Sequence, residues 1–314
     1  MGDGGRVQYK TVVYDSSRWD RVVFRPGDIV ITTPAKCGTT WLQMICALLV
    51  FQTPDLYAPL DTISPWVDML TKDLPSVLAT LEAQEHRRFM KTHTCFDGLP
   101  FDERVTYICV GRDPRDVAVS WDNHRANTDM IAFLAARERA VGLDDIADLL
   151  ADGPPVEPEA WGDRFWAWVE NEEPVGAASS LHTTLDHLGQ AWGRRERPNV
   201  LLLHYQDLTD DLDGQMRVIA NRLGITVPET TWPELVEAAT FDRMRERATE
   251  IAPETPKRLW LNERDFFRQG RSGQWRDLLD DTDVARYAAA VERWADPEVA
   301  AWVHRPPLPA GPST

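Results

Sequence analysis

Residues 28–41 read DIVITTPAKCGTTW and decide the fold. The first half, residues 28–32, is rich in β-branched side chains and follows a Pro-Gly turn signal, which predicts a buried strand. The second half places a glycine and two threonines next to Lys36 and leads into the apolar residues 41–49, which predict a buried helix. A sharp strand-to-helix turn directs free backbone N–H groups and the positive end of the helix dipole to one point. The segment therefore predicts a site for a phosphate or sulfate group.

Apolar strands and amphipathic helices alternate along the rest of the chain. Further strands are predicted at 88–91, 104–111 and 199–204, and further helices at 73–86, 113–127, 181–195, 207–223, 234–247 and 283–294, with a break near Thr240. Residues 128–180 look less regular and contain a Pro hinge at 153–155, residues 252–275 read as a functional loop, and the tail after 305 is expected to be frayed. This order predicts an α/β fold, a single domain over residues 1–314 with a central parallel β-sheet flanked by helices. Its ligand should lie at the carboxyl ends of the strands.

Composition excludes several classes of function. The formal net charge is −16, with 34 basic against 50 acidic residues, which argues against nucleic acid or a polyanionic glycan as the main partner. No apolar run is long enough to span a bilayer and the first ten residues have no hydrophobic leader core, so we expect no transmembrane segment and a cytoplasmic location. The four cysteines show no CxxC pair and no metal-ligand spacing with histidine, so we expect reduced thiols and no metal site. The oligomeric state stays open.

Residues 36–41, KCGTTW, resemble the PKSGTTW loop of the cytosolic-type sulfotransferases, with Ala35 and Cys37 in place of the family's Pro and Ser. In that family the loop wraps the 5′-phosphosulfate of the donor 3′-phosphoadenosine-5′-phosphosulfate (PAPS), and the tryptophan stacks on the adenine. The resemblance implies that these residues bind PAPS: Lys36, Cys37, Gly38, Thr39, Thr40 and Trp41. Strand–Gly–helix turns are common, and the Walker pattern GxxxxGK[ST] is absent, so the loop alone does not establish an anion site.

Two later segments resemble the elements with which the family holds the 3′-phosphate of PAPS. Residues 112–120, RDPRDVAVS, resemble RNPKDVAVS, which gives the phosphate-binding roles to Arg112 and Ser120. Residues 268–275, RQGRSGQW, resemble RKGxxGDW, with Gln269 and Gln274 in place of Lys and Asp. The resemblance implies that this second segment binds the cofactor through Arg268, Gln269 and Gly270. An arginine at a helix start or in a Gly-rich loop can also be purely structural.

Residues 91–93, KTH, match the end of another signature strand of the family. Sulfuryl transfer to a hydroxyl group requires a base, and a histidine with a pKa near neutrality suits that role, so His93 is the candidate base. A lone histidine is otherwise more often structural. The resemblance assigns stabilisation of the leaving group to Lys36 with help from Lys91. The expected mechanism is a direct in-line displacement without a covalent intermediate or a metal.

The adenine end resembles the family at Tyr205, within HYQDL, and at Thr240 and Phe241, within TFDRM, although these side chains and Trp41 could also belong to the core. The blocks follow the family's order from residue 28 to about 277, and the stretches 87–94, 107–116 and 250–253 resemble the mycobacterial glycolipid sulfotransferases. The resemblance implies a PAPS-dependent sulfotransferase of actinobacterial type. The alternative is a P-loop-like nucleotide-binding protein or small-molecule kinase without sulfuryl transfer.

The region from about 121 to 180 is the candidate acceptor-binding region because it departs most from the family signatures. It contains a group of aromatic residues: Trp121, Phe133, Trp161, Phe165, Trp166 and Trp168. These side chains either belong to the core or line an acceptor pocket. Aromatic walls on a protein of charge −16 favour an acceptor with an apolar body, such as a glycolipid or a phenolic or secondary metabolite, over an anionic glycan.

Cys37 is predicted to carry a reactive thiol. It lies beside Lys36 at the start of the predicted helix, and both features lower the pKa of a thiol. We therefore expect Cys37 to react faster with alkylating reagents than Cys46 or Cys109, which lie in apolar runs.

Overall fold

The core of the structure is a sheet of four parallel strands. The computed structural model describes residues 5–151, 158–173, 178–252 and 259–305. The strands are β1 (Ile29–Thr32), β2 (Phe89–Thr92), β3 (Thr106–Gly111) and β4 (Val200–His204), in the spatial order β2-β1-β3-β4. Ile29 of β1 pairs with Phe89 on one side and with Thr106 on the other. The predicted parallel sheet is confirmed.

Helices connect the strands and cover both faces of the sheet. In chain order they are α1 (Thr39–Phe51), α2 (Leu60–Ile63), α3 (Leu74–Ala83), α4 (Pro114–Ala126), α5 (Met130–Val141), α6 (Ala147–Ala151), α7 (Trp161–Val169), α8 (Leu181–Trp192), α9 (Tyr205–Asp210), α10 (Leu212–Leu223), α11 (Trp232–Ala238), α12 (Phe241–Glu246), α13 (Ala248–Ile251), α14 (Asp281–Trp294) and α15 (Pro297–Val303). Within the described ranges, no helix is both long and apolar enough to cross a membrane.

The alternation of side chains along the strands divides the core in two. Ile29 and Ile31 lie in a cluster with side chains of α1, α10 and α11, whereas Val30 lies in a second cluster with side chains of α4, α7, α8 and α14. Because both faces of the sheet are covered, the strands are apolar nearly throughout, as expected for buried parallel strands.

Two predictions of local structure are wrong. Residues 128–180 were expected to be less regular, but Met130–Val141 forms a helix that Asp129 caps by accepting a hydrogen bond from the N–H of Ala132 at 2.9 Å. Its apolar residues give no clear stripe, since Ile131 is 84% exposed. The helix predicted at 207–223 is divided in two at Asp211, which has the non-helical angles φ −145° and ψ 72° and caps α10. The break near Thr240 is confirmed, while the hinge at 153–155 and the tail after 305 lie outside the described residues.

The strand order also fixes the place of the site. The chain passes from β1 to β2 on one side and then to β3 on the other side of β1, so the connections after β1 and β3 leave the sheet in different directions. Ligands of open α/β sheets bind in the crevice at such a point, outside the carboxyl ends of the strands. The loop after β1 carries Lys36, and Arg112 follows β3 directly.

Candidate active site

The loop between β1 and α1 has a backbone suited to an anion. Lys36 has φ 67° and Gly38 has φ 97°, both in the left-handed region. A lysine in this conformation is strained by about 1–2 kcal/mol, and such strain concentrates at functional sites. Gly38 lies at the start of α1, and no side chain caps this helix end. A Cβ atom at Gly38 would lie only 3.2 Å from Cδ2 of Tyr205, so this ring packs tightly against the loop.

Arg112 joins three of the segments singled out in the sequence. Its Nη1 donates to the carbonyl of Lys36 at 2.8 Å, and its Nη2 donates to the carbonyl of Arg271 at 3.3 Å. Its guanidinium lies 4.2 Å from the ring centroid of Tyr205. The side chain is buried, and among the described atoms its Nε has no hydrogen-bond partner. A buried donor without a partner suits a site that receives an anion.

The segment 268–275 is anchored to the start of α4. The Asp116 carboxylate accepts hydrogen bonds from the N–H groups of Gly273 at 2.7 Å and Gln274 at 2.8 Å. The Gln274 side chain donates to the carbonyl of Arg271 at 2.9 Å and accepts a hydrogen bond from Arg268. Gln274, which stands where the resembled motif RKGxxGDW has an Asp, therefore organises this loop.

Two aromatic contacts surround this part of the site, one between Trp41 and Tyr205 and one between Phe241 and the 268–275 segment. The ring centroids of Trp41 and Tyr205 are 5.4 Å apart with an interplanar angle of 66°, and Nε1 of Trp41 donates to the carbonyl of Ala239 at 2.8 Å. Phe241 lies directly against Gly270, whose φ is 61°. A Cβ atom at Gly270 would lie 2.2 Å from Cδ2 of Phe241. The close contact between this ring and the 268–275 segment thus requires a glycine.

The structure also describes three other predicted ligands. Thr240 caps α12 and donates to the carbonyl of Glu237 at 2.8 Å. The Gln269 side chain accepts a hydrogen bond from Nε of Arg271 at 3.0 Å. Ser120 lies in the second turn of α4, partly buried.

His93 follows β2 at the carboxyl edge of the sheet. Its Nδ1 lies 2.7 Å from the carbonyl oxygen of Thr33, which can only accept, so Nδ1 carries the proton and Nε2 keeps its lone pair. Burial and the ammonium of Lys91 lower the pKa of His93 to about 3. The expectation of a pKa near neutrality is therefore wrong, and His93 is a neutral imidazole at pH 7. Trp66 contacts both residues, at 4.7 Å from the His93 ring centroid and 4.5 Å from the Lys91 Nζ.

Lys36 completes a group of three cations. Burial, together with the nearby charges of Arg112 and Lys91, lowers the pKa of its ammonium to about 7. Mutual repulsion of this kind is relieved when an anion binds among the cations, so the donor set fits a phosphate or sulfate ester. Lys36 Nζ lies 3.2 Å from Nδ1 of His124 and 4.9 Å from the ring centroid of Phe266.

The arrangement of these blocks agrees with a family-wide comparison. The family model of the sulfotransferase domain matches residues 26–298. The chain belongs to the sulfotransferase family. A glycolipid sulfotransferase of Mycobacterium tuberculosis is 42% identical over 310 residues, which cover 95% of this chain and 94% of the relative. Family membership decides between the two functions that the sequence left open, in favour of a sulfotransferase that acts on a hydroxyl acceptor.

Solved structures of sulfotransferase-fold proteins have the same fold. A crystal structure of retinol dehydratase with androsterone and the inactive cofactor PAP is 20% identical, with a TM-score of 0.67, and the match covers 93% of this chain and 87% of that chain. A mouse sulfotransferase complexed with PAP is 19% identical, with a TM-score of 0.66, and covers 91% of this chain and 90% of that chain. The predicted α/β sulfotransferase fold is confirmed.

The aromatic side chains near the candidate catalytic groups of this sulfotransferase are mostly not those of the predicted acceptor region. Phe165 and Trp168 are buried in the second core cluster, and Phe133 lies in a small cluster with Met69. Trp161 and Trp166 are partly buried against the second cluster. Of the six predicted residues, Trp121 is the one that contacts a site residue among the described contacts, with its ring 5.5 Å from that of His124.

Four residues around the candidate catalytic groups were not predicted from the sequence: Trp66, His124, Trp260 and Phe266. The rings of Trp260 and Phe266 lie 4.9 Å and 6.1 Å from that of His124. His124 follows Ser120 by four residues and so lies on the same face of α4, a spacing that could have identified it. Trp66 lies outside helices and strands, where no periodicity points to it.

The prediction of a reactive Cys37 is also wrong. Its side chain is fully buried, and burial raises the pKa of the thiol to about 12 despite the nearby charges of Arg112 and Lys36. Burial likewise raises the pKa of Cys46 to about 12. Desolvation of the thiolate therefore outweighs the field at the helix start.

Proposed function

We propose that this sulfotransferase transfers the sulfuryl group of PAPS to a hydroxyl group of an amphiphilic acceptor, such as a glycolipid. The observation that carries the proposal is the meeting of the loop after β1, Arg112 and His93 at one edge of the sheet. This edge combines a cationic anion site with a neutral imidazole, which are the two elements that sulfuryl transfer needs.

The donor would be held at both phosphate groups. We assign the phosphosulfate end to Lys36 and the backbone N–H groups at the start of α1, and the 3′-phosphate to Arg112 and Ser120. The uncapped helix end and the unpartnered, buried Nε of Arg112 support this assignment. Tyr205 and Trp41 offer aromatic surfaces for the base. When bound, PAPS supplies the sulfuryl group and a phosphate leaving group.

The residues of the chain would then carry out the transfer. Nε2 of His93 accepts the proton of the acceptor hydroxyl as the new O–S bond forms and the S–O bond to the phosphate breaks. The carbonyl of Thr33 holds the imidazole in the tautomer with a free Nε2. The ammonium of Lys36 stabilises the charge that develops on the leaving oxygen, and Lys91 adds to the positive potential.

The walls around these groups favour an acceptor with an apolar body. Trp66 contacts His93, while Trp121, Trp260 and Phe266 surround His124. A protein of net charge −16 repels polyanionic glycans. The mycobacterial relatives are glycolipid sulfotransferases, which supports a glycolipid as the acceptor. We expect the enzyme to act in the cytoplasm as a single catalytic domain.

An acceptor panel with radiolabelled PAPS tests this proposal. The purified protein is incubated with a glycolipid, simple phenols and heparan-type oligosaccharides, and incorporation of label is measured. His93→Asn is the matched control, because its amide can still donate to the Thr33 carbonyl but offers no base at the position of Nε2. We expect glycolipid labelling by the wild-type protein and none by the variant. Preferential labelling of the oligosaccharides would contradict the acceptor class, and no labelling of any acceptor would contradict the function.

A further inference from the structure

His124 lies in hydrogen-bond contact with the ammonium of Lys36. Its Nδ1 lies 3.2 Å from Nζ of Lys36. The imidazole is packed among the rings of Trp121, Trp260 and Phe266, at centroid distances of 5.5 Å, 4.9 Å and 6.1 Å. This packing fixes the direction of the ring, so the contact with Lys36 is built into the fold.

The chemistry of the two groups fixes the direction of the hydrogen bond. An ammonium group only donates, so Lys36 donates and Nδ1 of His124 accepts. Burial, together with the charge of Lys36 and the neighbouring His93 and Lys91, lowers the pKa of His124 well below its usual value. His124 is therefore a neutral imidazole with its proton on Nε2 and its lone pair towards Lys36.

Lys36 needs such a partner because its surroundings disfavour its charge. Arg112 and Lys91 repel the ammonium, and burial removes water from it. The Phe266 ring, 4.9 Å from Nζ, and the lone pair of His124 act in the opposite direction. A lysine side chain has many rotamers, and a fixed acceptor selects one position for the ammonium.

We propose that His124 is a positioning residue that holds the ammonium of Lys36 in place for the sulfuryl group undergoing transfer. The inference rests on the proposed role of Lys36 in the reaction. His124 acts through Lys36, since its Nδ1 is directed to Nζ and its ring is enclosed by aromatic side chains. Its removal should therefore affect the rate of transfer more than the binding of the nucleotide.

Two substitutions separate the hydrogen bond from the packing. His124→Phe keeps an aromatic ring but removes the acceptor, and His124→Asn restores an oxygen acceptor near the position of Nδ1. We expect His124→Phe to lower kcat by roughly tenfold to a hundredfold, as for other hydrogen bonds to charged groups, with the Kd of PAP unchanged. His124→Asn should recover most of this loss. His182→Phe is the matched control, because His182 stacks on Trp294 away from the site and the substitution should leave kcat unchanged.

A second measurement does not depend on sulfuryl transfer. The pKa of Lys36 can be determined from NMR spectra of the lysine side-chain nitrogens, with the signal assigned by its loss in Lys36→Arg. The groups that act on this pKa are Arg112, Lys91 and Cys37, besides His124 itself. Loss of the acceptor disfavours the charged form, so His124→Phe should lower the pKa of Lys36, and His124→Asn should restore it.

The outcomes distinguish the inference from the proposed function. A lowered pKa in His124→Phe with a lowered kcat supports the inference, and equal pKa values in wild type and His124→Phe overturn it. If His124→Asn is as slow as His124→Phe, the packing of the ring matters and the inference is also overturned. If the wild-type protein labels no acceptor, the proposed function fails; the pKa comparison still decides whether His124 holds the ammonium of Lys36.

Discussion

The contact between Gly270 and Phe241 makes a quantitative prediction for Gly270→Ala. A Cβ atom at this position would lie 2.2 Å from Cδ2 of Phe241, whereas an ordinary carbon–carbon contact is about 3.5–4.0 Å. Either the ring or the segment must therefore move by more than about 1 Å. The family resemblance places Phe241 at the adenine end of the cofactor site, so its displacement should remove about 1–3 kcal/mol of base stacking and raise the Kd of PAP by roughly five- to 150-fold.

Gly224→Ala is the matched control for backbone strain. Gly224 ends α10 with φ 64°, close to the φ of 61° at Gly270, and a Cβ atom there would meet nothing within 4 Å. Both substitutions carry the cost of a left-handed alanine, about 1–2 kcal/mol, which thermal denaturation measures. Only Gly270→Ala should also weaken the binding of PAP, measured by isothermal titration calorimetry.

A double-mutant cycle with Phe241→Ala isolates the steric contact. Without the ring there is nothing for the new methyl group to displace, so Gly270→Ala should have little further effect on the Kd of PAP in this background. The reasoning is refuted if Gly270→Ala binds PAP as the wild type does, or if it weakens binding by the same factor with and without Phe241.

Four further predictions concern residues of the candidate site. His93→Asn should lower kcat by roughly 10²- to 10⁴-fold in the radiolabel assay and leave the Kd of PAP unchanged, and a near-normal kcat would contradict its role as the base. Arg112→Ala should weaken the binding of PAP, measured by calorimetry, by about 1.5–3 kcal/mol and should barely change the binding of 5′-AMP, which lacks the 3′-phosphate. Equal losses of binding free energy for both ligands would show that Arg112 does not bind that phosphate. The pKa of Lys36 is lowered to about 7 and the charged ammonium is the active form, so kcat/KM for PAPS should fall as the pH rises through that value. Lys36→Arg should abolish this decrease at alkaline pH. If the decrease persists in the variant, Lys36 is not its origin. Burial raises the pKa of both thiols to about 12, so iodoacetamide should label Cys37 no faster than Cys46 when the labelled sites are identified by peptide mapping. Rapid labelling of Cys37 would contradict this prediction.

Local patterns were sufficient to predict most of the fold. The strand after residue 28 and the strand after residue 104 are apolar because both faces of the sheet are covered, and such runs are visible in the sequence. The helix Met130–Val141 was not predicted, because its apolar side chains do not form one stripe and Arg137 is buried instead. Tertiary contacts rather than periodicity determine that helix.

The donor side of the candidate site was predictable, and the acceptor side was not. Lys36 and Arg112 belong to contiguous motifs whose spacing is set by a strand-to-helix turn. His124 and Phe266 are brought together by folding from distant parts of the chain. The pKa values predicted for Cys37 and His93 are wrong for one physical reason. Burial shifts both pKa values, and the sequence shows which residues are neighbours but not which side chains are buried.

The anchoring of the 268–275 segment has a consequence for the rate of turnover. The Asp116 carboxylate accepts hydrogen bonds from the N–H groups of Gly273 and Gln274. The part of the segment before Gly273 makes two other contacts: the Arg271 carbonyl accepts a hydrogen bond from Arg112, and Gly270 packs against the Phe241 ring. In the proposed cofactor site, nucleotide exit would require the earlier part to swing about Gly273, while the end attached to α4 stays in place. Movements of this kind occur in microseconds to milliseconds and frequently limit kcat in enzymes that enclose their ligands. The turnover number would then report the opening of this segment, and solvent viscosity would slow it without changing the chemical step.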